Sequence, residues 1–147
     1  MKYQYFIASR WRNKDSVLEL TRKLREKGEN VYCFIESEAS QKYVEVLHKD
    51  TGKQMEILEA IENWREDPRV KELFKGDMNA LRESEAVILL LPAGKSSHIE
   101  AGVAYGFGKK LILIGEQKET ETLYLIFNEV YPGIDDFIAS LGVVQPI

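Results

Sequence analysis

Residues 86–115 read AVILLLPAGKSSHIEAGVAYGFGKKLILIG, and this stretch decides the fold. Ala86 to Leu91 is the most apolar run in the chain, as a central parallel strand buried on both faces requires. Pro92, Gly94, Ser96 and Ser97 end that run and open a loop. Ser97 to Gly108 reads as a helix, with the small residues Ala101, Gly102, Ala104 and Gly106 allowing close approach to the sheet. Lys110 to Gly115 (KLILIG) reads as the next strand. A strand, a helix and a strand in about thirty residues is the unit from which parallel sheets are built.

The same alternation recurs on either side. Tyr3 to Ala8 is a short buried strand ending at Ser9-Arg10. From Asn13 or Asp15 the period becomes helical: Val17, Leu18, Leu20, Thr21 and Leu24 form one stripe, and Gly28 is the stop. Asn30 to Ile35 (NVYCFI) is the second strand. Downstream, Leu123 to Phe127 is a candidate fifth strand and Ile134 to Leu141 a closing helix. The expected architecture is a single α/β domain over residues 1–147, a flavodoxin-like (Rossmann-like) doubly wound parallel sheet of about five strands. Residues 36–76 are the exception, rich in charge and without a strand-like run. Met55, Ile57, Leu58, Ile61 and Trp64 sit near helical spacing until Asp67-Pro68 breaks it, with Trp64 expected in core or interface. Val70, Leu73, Phe74, Met78 and Leu81 predict a further helix covering the sheet. A charged helical insertion of this kind is expected to act as a lid or an oligomer contact.

Composition bounds the partners. Across 147 residues, 20 Lys and Arg stand against 24 Asp and Glu, a net charge of −4. That balance offers no basic footprint for duplex nucleic acid. A 44% hydrophobic content is too high for a disordered chain. One cysteine, Cys33, excludes an internal disulfide and a multi-cysteine zinc site, and inside a strand it reads as a buried small hydrophobe. The longest apolar run falls far short of the ~20 residues of a membrane span. The opening MKYQYFIASRWR lacks the apolar core of a signal peptide. The expectation is a cytoplasmic protein that binds a small molecule or another protein, with no metal and no cofactor.

In open α/β sheets, ligands bind beyond the carboxyl ends of the strands where strand order reverses. Two such ends carry chemistry here: Ser9, Arg10, Trp11 and Arg12 after the first strand, and Gly94, Lys95, Ser96, Ser97, His98 and Glu100 after the third. A Gly-Lys-Ser-Ser turn opening a helix presents N–H groups and hydroxyls suited to phosphate or sugar oxygens. It is neither a Walker A loop nor a dinucleotide fingerprint, since both spacings are absent. Glu100 admits two roles. Ser97-His98-Ile99-Glu100 has the spacing of a capping box, with serine at the N-cap and glutamate three residues on. The same carboxylate near a helix start also suits a nucleophile. Asp77 likewise reads either as a solvated or capping residue after Gly76, or as a second carboxylate in the crevice. Paired carboxylates are the usual apparatus of glycosidic-bond chemistry.

Asp77-Met-Asn-Ala-Leu-Arg-Glu-Ser-Glu before an apolar strand, a Gly/Ser loop, then Glu100-Ala-Gly-Val-Ala-Tyr-Gly-Phe-Gly-Lys-Lys, resembles the nucleoside 2-deoxyribosyltransferase family. Its relatives include deoxynucleoside-monophosphate hydrolases. The resemblance covers most of the chain except 36–76, and the closing YPGIDDFIASL also fits it. It implies that Glu100 attacks the anomeric carbon and that Asp77 assists departure of the base. It implies that Gly94, Ser96, Ser97 and His98 surround the sugar's 5′ end, with Lys95 adding affinity for phosphate. Ser9 and Arg10 would lie beside base or phosphate. It further implies a homodimer or higher homo-oligomer, with Asn128 the candidate residue lent to a neighbouring site. Glu85 stands where the family has aspartate, and Tyr3 and Tyr5 compete for its first-strand tyrosine. Two alternatives differ in function: a TIR-like NAD-glycohydrolase on the same plan, and a non-catalytic nucleotide-binding or assembly module in which Glu100 only caps its helix.

Overall fold

Side chains alternate across a strand, so a strand apolar at every position is covered on both faces. The computed structural model describes residues 1–42, 61–119 and 121–142, and these form one such sheet between two helical layers. Its strands are β1 (Tyr3–Ala8), β2 (Val31–Cys33), β3 (Ser84–Leu90), β4 (Lys110–Ile114) and β5 (Glu129–Tyr131). They lie in the order β2-β1-β3-β4-β5, and every neighbouring pair is parallel. This is the flavodoxin-like order expected from the sequence. β1 and β3 pair directly, Ile7 opposite Ile88 and Ala8 opposite Leu89. The loops that follow them therefore open side by side at the point where strand order reverses.

The α-helices among the described residues are α1 (Lys14–Glu26), α2 (Glu38–Lys42), α3 (Pro68–Arg82), α4 (Lys95–Gly106) and α5 (Ile134–Ser140). Val17, Leu20 and Leu24 of α1 and Phe137 of α5 pack on Ile7, Ile88 and Ile112. On the opposite face, Ala80 and Leu81 of α3 and Ala101 and Ala104 of α4 pack on Phe6, Val87, Leu89 and Leu111. Each fully buried Leu or Ile stabilises by roughly 1.5–3 kcal/mol. The ends are locally encoded. Gly28, at φ +82°, lets its N–H reach Arg25 O while Glu29 N–H reaches Leu24 O, which closes α1. Asp67 Oδ1 accepts the Arg69 N–H at 2.9 Å, and Pro68 takes the first turn of α3, where no N–H is needed.

Several sequence expectations are corrected. β2 stops at Cys33, because Phe34–Glu36 turns as a 3₁₀ segment rather than extending to Ile35. The expected strand at Leu123–Phe127 is also a 3₁₀ segment, Thr122–Ile126, with Leu123 and Leu125 exposed; the fifth strand is Glu129–Tyr131. α4 runs from Lys95 to Gly106 rather than from Ser97 to Gly108. Gly102 and Gly106 face open space, so only Ala101 and Ala104 provide the close approach to the sheet. Leu18 and Phe74 are exposed rather than on core stripes; Trp64 lies outside the core as well, with the Arg65 guanidinium over its ring. The helical spacing over Met55, Ile57 and Leu58, and much of the insertion with its expected lid or oligomer role, fall outside the described residues. Among the described residues no helix is long and apolar enough to cross a membrane.

Candidate active site

The face covered by α3 and α4 carries an interrupted apolar pattern. On α3 the inward stripe runs Leu73, Asp77, Ala80, Leu81, at helical spacings of four, three and one. Ala80 and Leu81 are buried, and Asp77 is half-buried among them. On α4 the stripe runs Ser97, Glu100, Ala101, Ala104. Ser97, Ala101 and Ala104 are buried, and Glu100 sits half-buried at the flank. Each helix thus places one carboxylate where an apolar residue would ordinarily stand.

Tyr32 completes the cluster from below. Val31 and Cys33 of β2 are buried in the core on the α1 side, so Tyr32 points the other way, under α3. Its ring stacks on Phe6, with centroids 5.1 Å apart, and meets Tyr3 edge-on at 5.5 Å. Tyr32 Oη donates to Asp77 Oδ1 at 3.0 Å. Sequence reasoning names Tyr3 and Tyr5 and misses Tyr32. The available signal was the period of two in NVYCFI, which sets one hydroxyl-bearing ring on the face opposite two apolar neighbours.

Electrostatics join the three groups. Burial raises the Asp77 carboxyl to about 6, against the bond from Tyr32, which pulls it down. Burial raises Glu100 to about 8, and the charge of Asp77 pushes in the same direction. The Tyr32 phenol is pushed up by burial first, then by Asp77, with a weaker contribution from Glu100. Both carboxylates keep some solvent access yet lie deep among protein atoms. Near neutral pH such a pair shares one proton, because two buried like charges repel.

The neighbouring loops converge as expected. The Arg10 Cβ lies 4.0 Å from where a Cβ on Gly94 would stand, so the loops after β1 and β3 lie against each other. Lys95 and Ser96 are exposed at the first turn of α4. Other residues of the loops are already engaged. Ser9 Oγ donates to Leu90 O at 2.8 Å and accepts from Asn13 Nδ2 at 3.1 Å, which ties the end of β1 to that of β3. His98 has both ring nitrogens in use, Nδ1 at 2.7 Å from Gly94 O and Nε2 at 2.9 Å from Tyr124 Oη. A carbonyl only accepts, so Nδ1 carries the proton and Nε2 receives the Tyr124 hydroxyl.

The expected capping box is displaced. Gly94 is the N-cap of α4, and Ser97, three residues on, closes the turn against it. Glu100 therefore lies well inside the helix and caps nothing. Asn128 is at the other end of the sheet, where its Oδ1 accepts the Leu111 N–H at 2.8 Å and its own N–H bonds Leu111 O. Within one chain it does not reach the crevice.

A groove of about 610 Å³ runs between β2 and α3, lined by Tyr3, Tyr32, Ser37, Lys75, Gly76 and Asn79 among others. Tyr32 belongs to both groove and carboxylate pair, and Gly76 adjoins Asp77; neither carboxylate lines the groove itself. Among the described residues no three of His, Cys, Asp and Glu gather as a metal-holding group.

Comparison with known proteins places the fold. No protein-family profile and no curated protein matches the chain. Two solved structures share its fold over nearly their whole length. One is a CMP N-glycosidase of Clostridium botulinum, at 21% identity and TM-score 0.55, covering 95% of this chain and 98% of that one. The other is a 2-deoxyribosyltransferase of Bacillus psychrosaccharolyticus, at 15% identity and TM-score 0.62, covering 97% and 98%.

Proposed function

We propose that this protein breaks the N-glycosidic bond of a (deoxy)nucleoside or (deoxy)nucleotide and passes the sugar to water or to a second base. Glu100 is the nucleophile at the anomeric carbon, and Asp77 handles the proton that the departing base takes up. The observation that carries this reading is the half-buried carboxylate pair, one from α3 and one from α4, with Tyr32 bonded to Asp77. Two carboxylates whose environments push their pKa values apart can divide acid and nucleophile roles between them. The fold shared with a CMP N-glycosidase and a 2-deoxyribosyltransferase supports the same chemistry.

The loops supply the remaining contacts. Gly94, Lys95 and Ser96 at the start of α4, with Arg10 opposite, receive the 5′ end of the sugar or its phosphate. Ser9, Ser97 and His98 hold those loops in place through their own bonds. The net charge of −4 does not oppose a phosphate, since cations and a helix start gather at this crevice.

A base-release assay tests the proposal. Deoxynucleosides, ribonucleosides, their 5′-monophosphates and NAD are incubated with the protein, with and without an acceptor base, beside Glu100→Ala. Free base from a nucleoside or nucleotide, abolished in Glu100→Ala, is the expected result. Release from none of them, or equal release by the variant, overturns it. Nicotinamide from NAD alone points to the glycohydrolase alternative, and binding without turnover to a nucleotide-binding module.

A further inference from the structure

Among the described residues one hydroxyl bonds the carboxylate pair, and it bonds only one member. Tyr32 Oη donates to Asp77 Oδ1, while among the described residues no donor bonds the Glu100 carboxyl. The donor is held in place: the ring is stacked on Phe6, braced by Tyr3, and carried by a strand residue in register with Phe6. Among the described residues the groups facing it are Asp77 from α3, Glu100 from α4 and the Ser37 hydroxyl beyond β2. A hydrogen bond given to a carboxylate favours its ionised form, and two crowded carboxylates do not ionise together. A single fixed donor then decides where the proton of the pair sits.

We infer that Tyr32 is a positioning residue that divides the labour of the two carboxylates: its bond keeps the negative charge of the free site on Asp77 and leaves the proton on Glu100. The inference deepens the proposed function and rests on its assignment of Glu100 and Asp77. The higher position of Glu100, about 8 against about 6 for Asp77, runs in the same direction.

The proton balance of the first half-reaction then closes within the site. As substrate seats, the proton passes from Glu100 to the Asp77 carboxylate. The Glu100 oxygen bonds to the anomeric carbon, the carbon–nitrogen bond breaks, and its electron pair stays on the base nitrogen. Asp77 gives that nitrogen the proton, so the base leaves neutral and Asp77 is again a carboxylate bonded to Tyr32. Tyr32 favours this last step because it stabilises the form to which Asp77 returns, and by the same bond it makes the preceding transfer to Asp77 uphill, a cost that the seating of substrate offsets.

Tyr32→Phe keeps the ring and removes the hydroxyl, and two measurements separate the inference from the function beneath it. The first uses no substrate: carboxyl carbon-13 NMR of the free protein, titrated from acid to alkaline pH and assigned with Asp77→Asn and Glu100→Gln. In the wild type Asp77 titrates below Glu100. In Tyr32→Phe the Asp77 midpoint rises, by on the order of one pH unit, and the gap narrows. The second is base release: kcat falls about 10- to 100-fold with little change in KM, and the acid limb of the pH profile moves up. Wild-type Asp77 titrating above Glu100 overturns the inference without any variant. So does a folded Tyr32→Phe that titrates or turns over as the wild type does. A wild type that releases no base overturns the proposed function instead, and the titration still decides where the proton sits.

Discussion

Gly94 and Ser97 bond each other in both directions: the Gly94 N–H donates to Ser97 Oγ at 3.1 Å, and Ser97 Oγ donates to Gly94 O at 2.9 Å. The first turn of α4 is closed by this exchange, so Glu100 has no part in capping the helix and is available for chemistry.

Glu100→Gln should therefore fold without loss, and its effect on stability should depend on pH. The folded-state pKa of Glu100 lies above its ordinary value, so the folded protein holds this proton more tightly than the unfolded chain. Stability from this group is fully present below the ordinary carboxylate range and is lost as pH rises toward about 8. Thermal unfolding followed by circular dichroism should show the variant level with wild type in acid and above it in alkali. A uniform deficit of about 1 kcal/mol, the usual cost of a lost cap, would return Glu100 to a capping role.

Base release should follow a bell-shaped pH profile. Below about 6 both carboxylates are protonated and no nucleophile is present; above about 8 both are ionised and no proton is held for the base. The maximum in kcat/KM is expected between these values. A rate that climbs steadily through alkaline pH would contradict the shared-proton pair.

Ser96 and Ser97 are adjacent but should separate cleanly on substitution. Ser97→Ala removes the partner of Gly94 and should cost about 1–2 kcal/mol in urea unfolding. Ser96→Ala, at an exposed position, should leave stability unchanged and raise KM for a phosphorylated substrate. Equal effects of the two on stability would refute this division.

Two glycines should respond in opposite directions. Gly115 follows β4 at φ +117°, and a Cβ there would stand 2.8 Å from the Leu91 Cβ. Gly115→Ala should destabilise by more than ~1 kcal/mol. Gly102 lies in α4 with open space around it, so Gly102→Ala should stabilise by about 0.5–1 kcal/mol. Melting temperatures of the pair check both signs.

The layered parallel sheet was legible because its signals are local. An uncharged run such as Ala86–Leu91 needs cover on both faces wherever it lies, and Gly28 can stop α1 without reference to the rest of the chain. Edges were less legible. NVYCFI has strand composition as far as Ile35, yet only Val31–Cys33 finds a strand partner, and Leu123–Phe127 has strand composition but turns as 3₁₀. Pairing, not propensity, decides such segments.

Asp77 and Glu100 both stand out in the sequence as candidate carboxylates, Glu100 in the segment after the third strand and Asp77, after Gly76, as its candidate partner. Their relation does not. The capping pattern in the sequence is Ser97-x-x-Glu100, but the helix starts three residues earlier, and its first turn is closed by the Ser97 hydroxyl on the Gly94 backbone. Tyr32 and Asp77 are separated by 45 positions, and no local pattern links residues so distant. The sequence by itself determined the class of fold and the two loops, because periodicity and composition act over neighbouring residues, while the two carboxylates stood out through a family resemblance. Only the tertiary structure decided which donor meets which carboxylate, since burial, repulsion and a 3.0 Å bond exist only once β2, α3 and α4 are packed together.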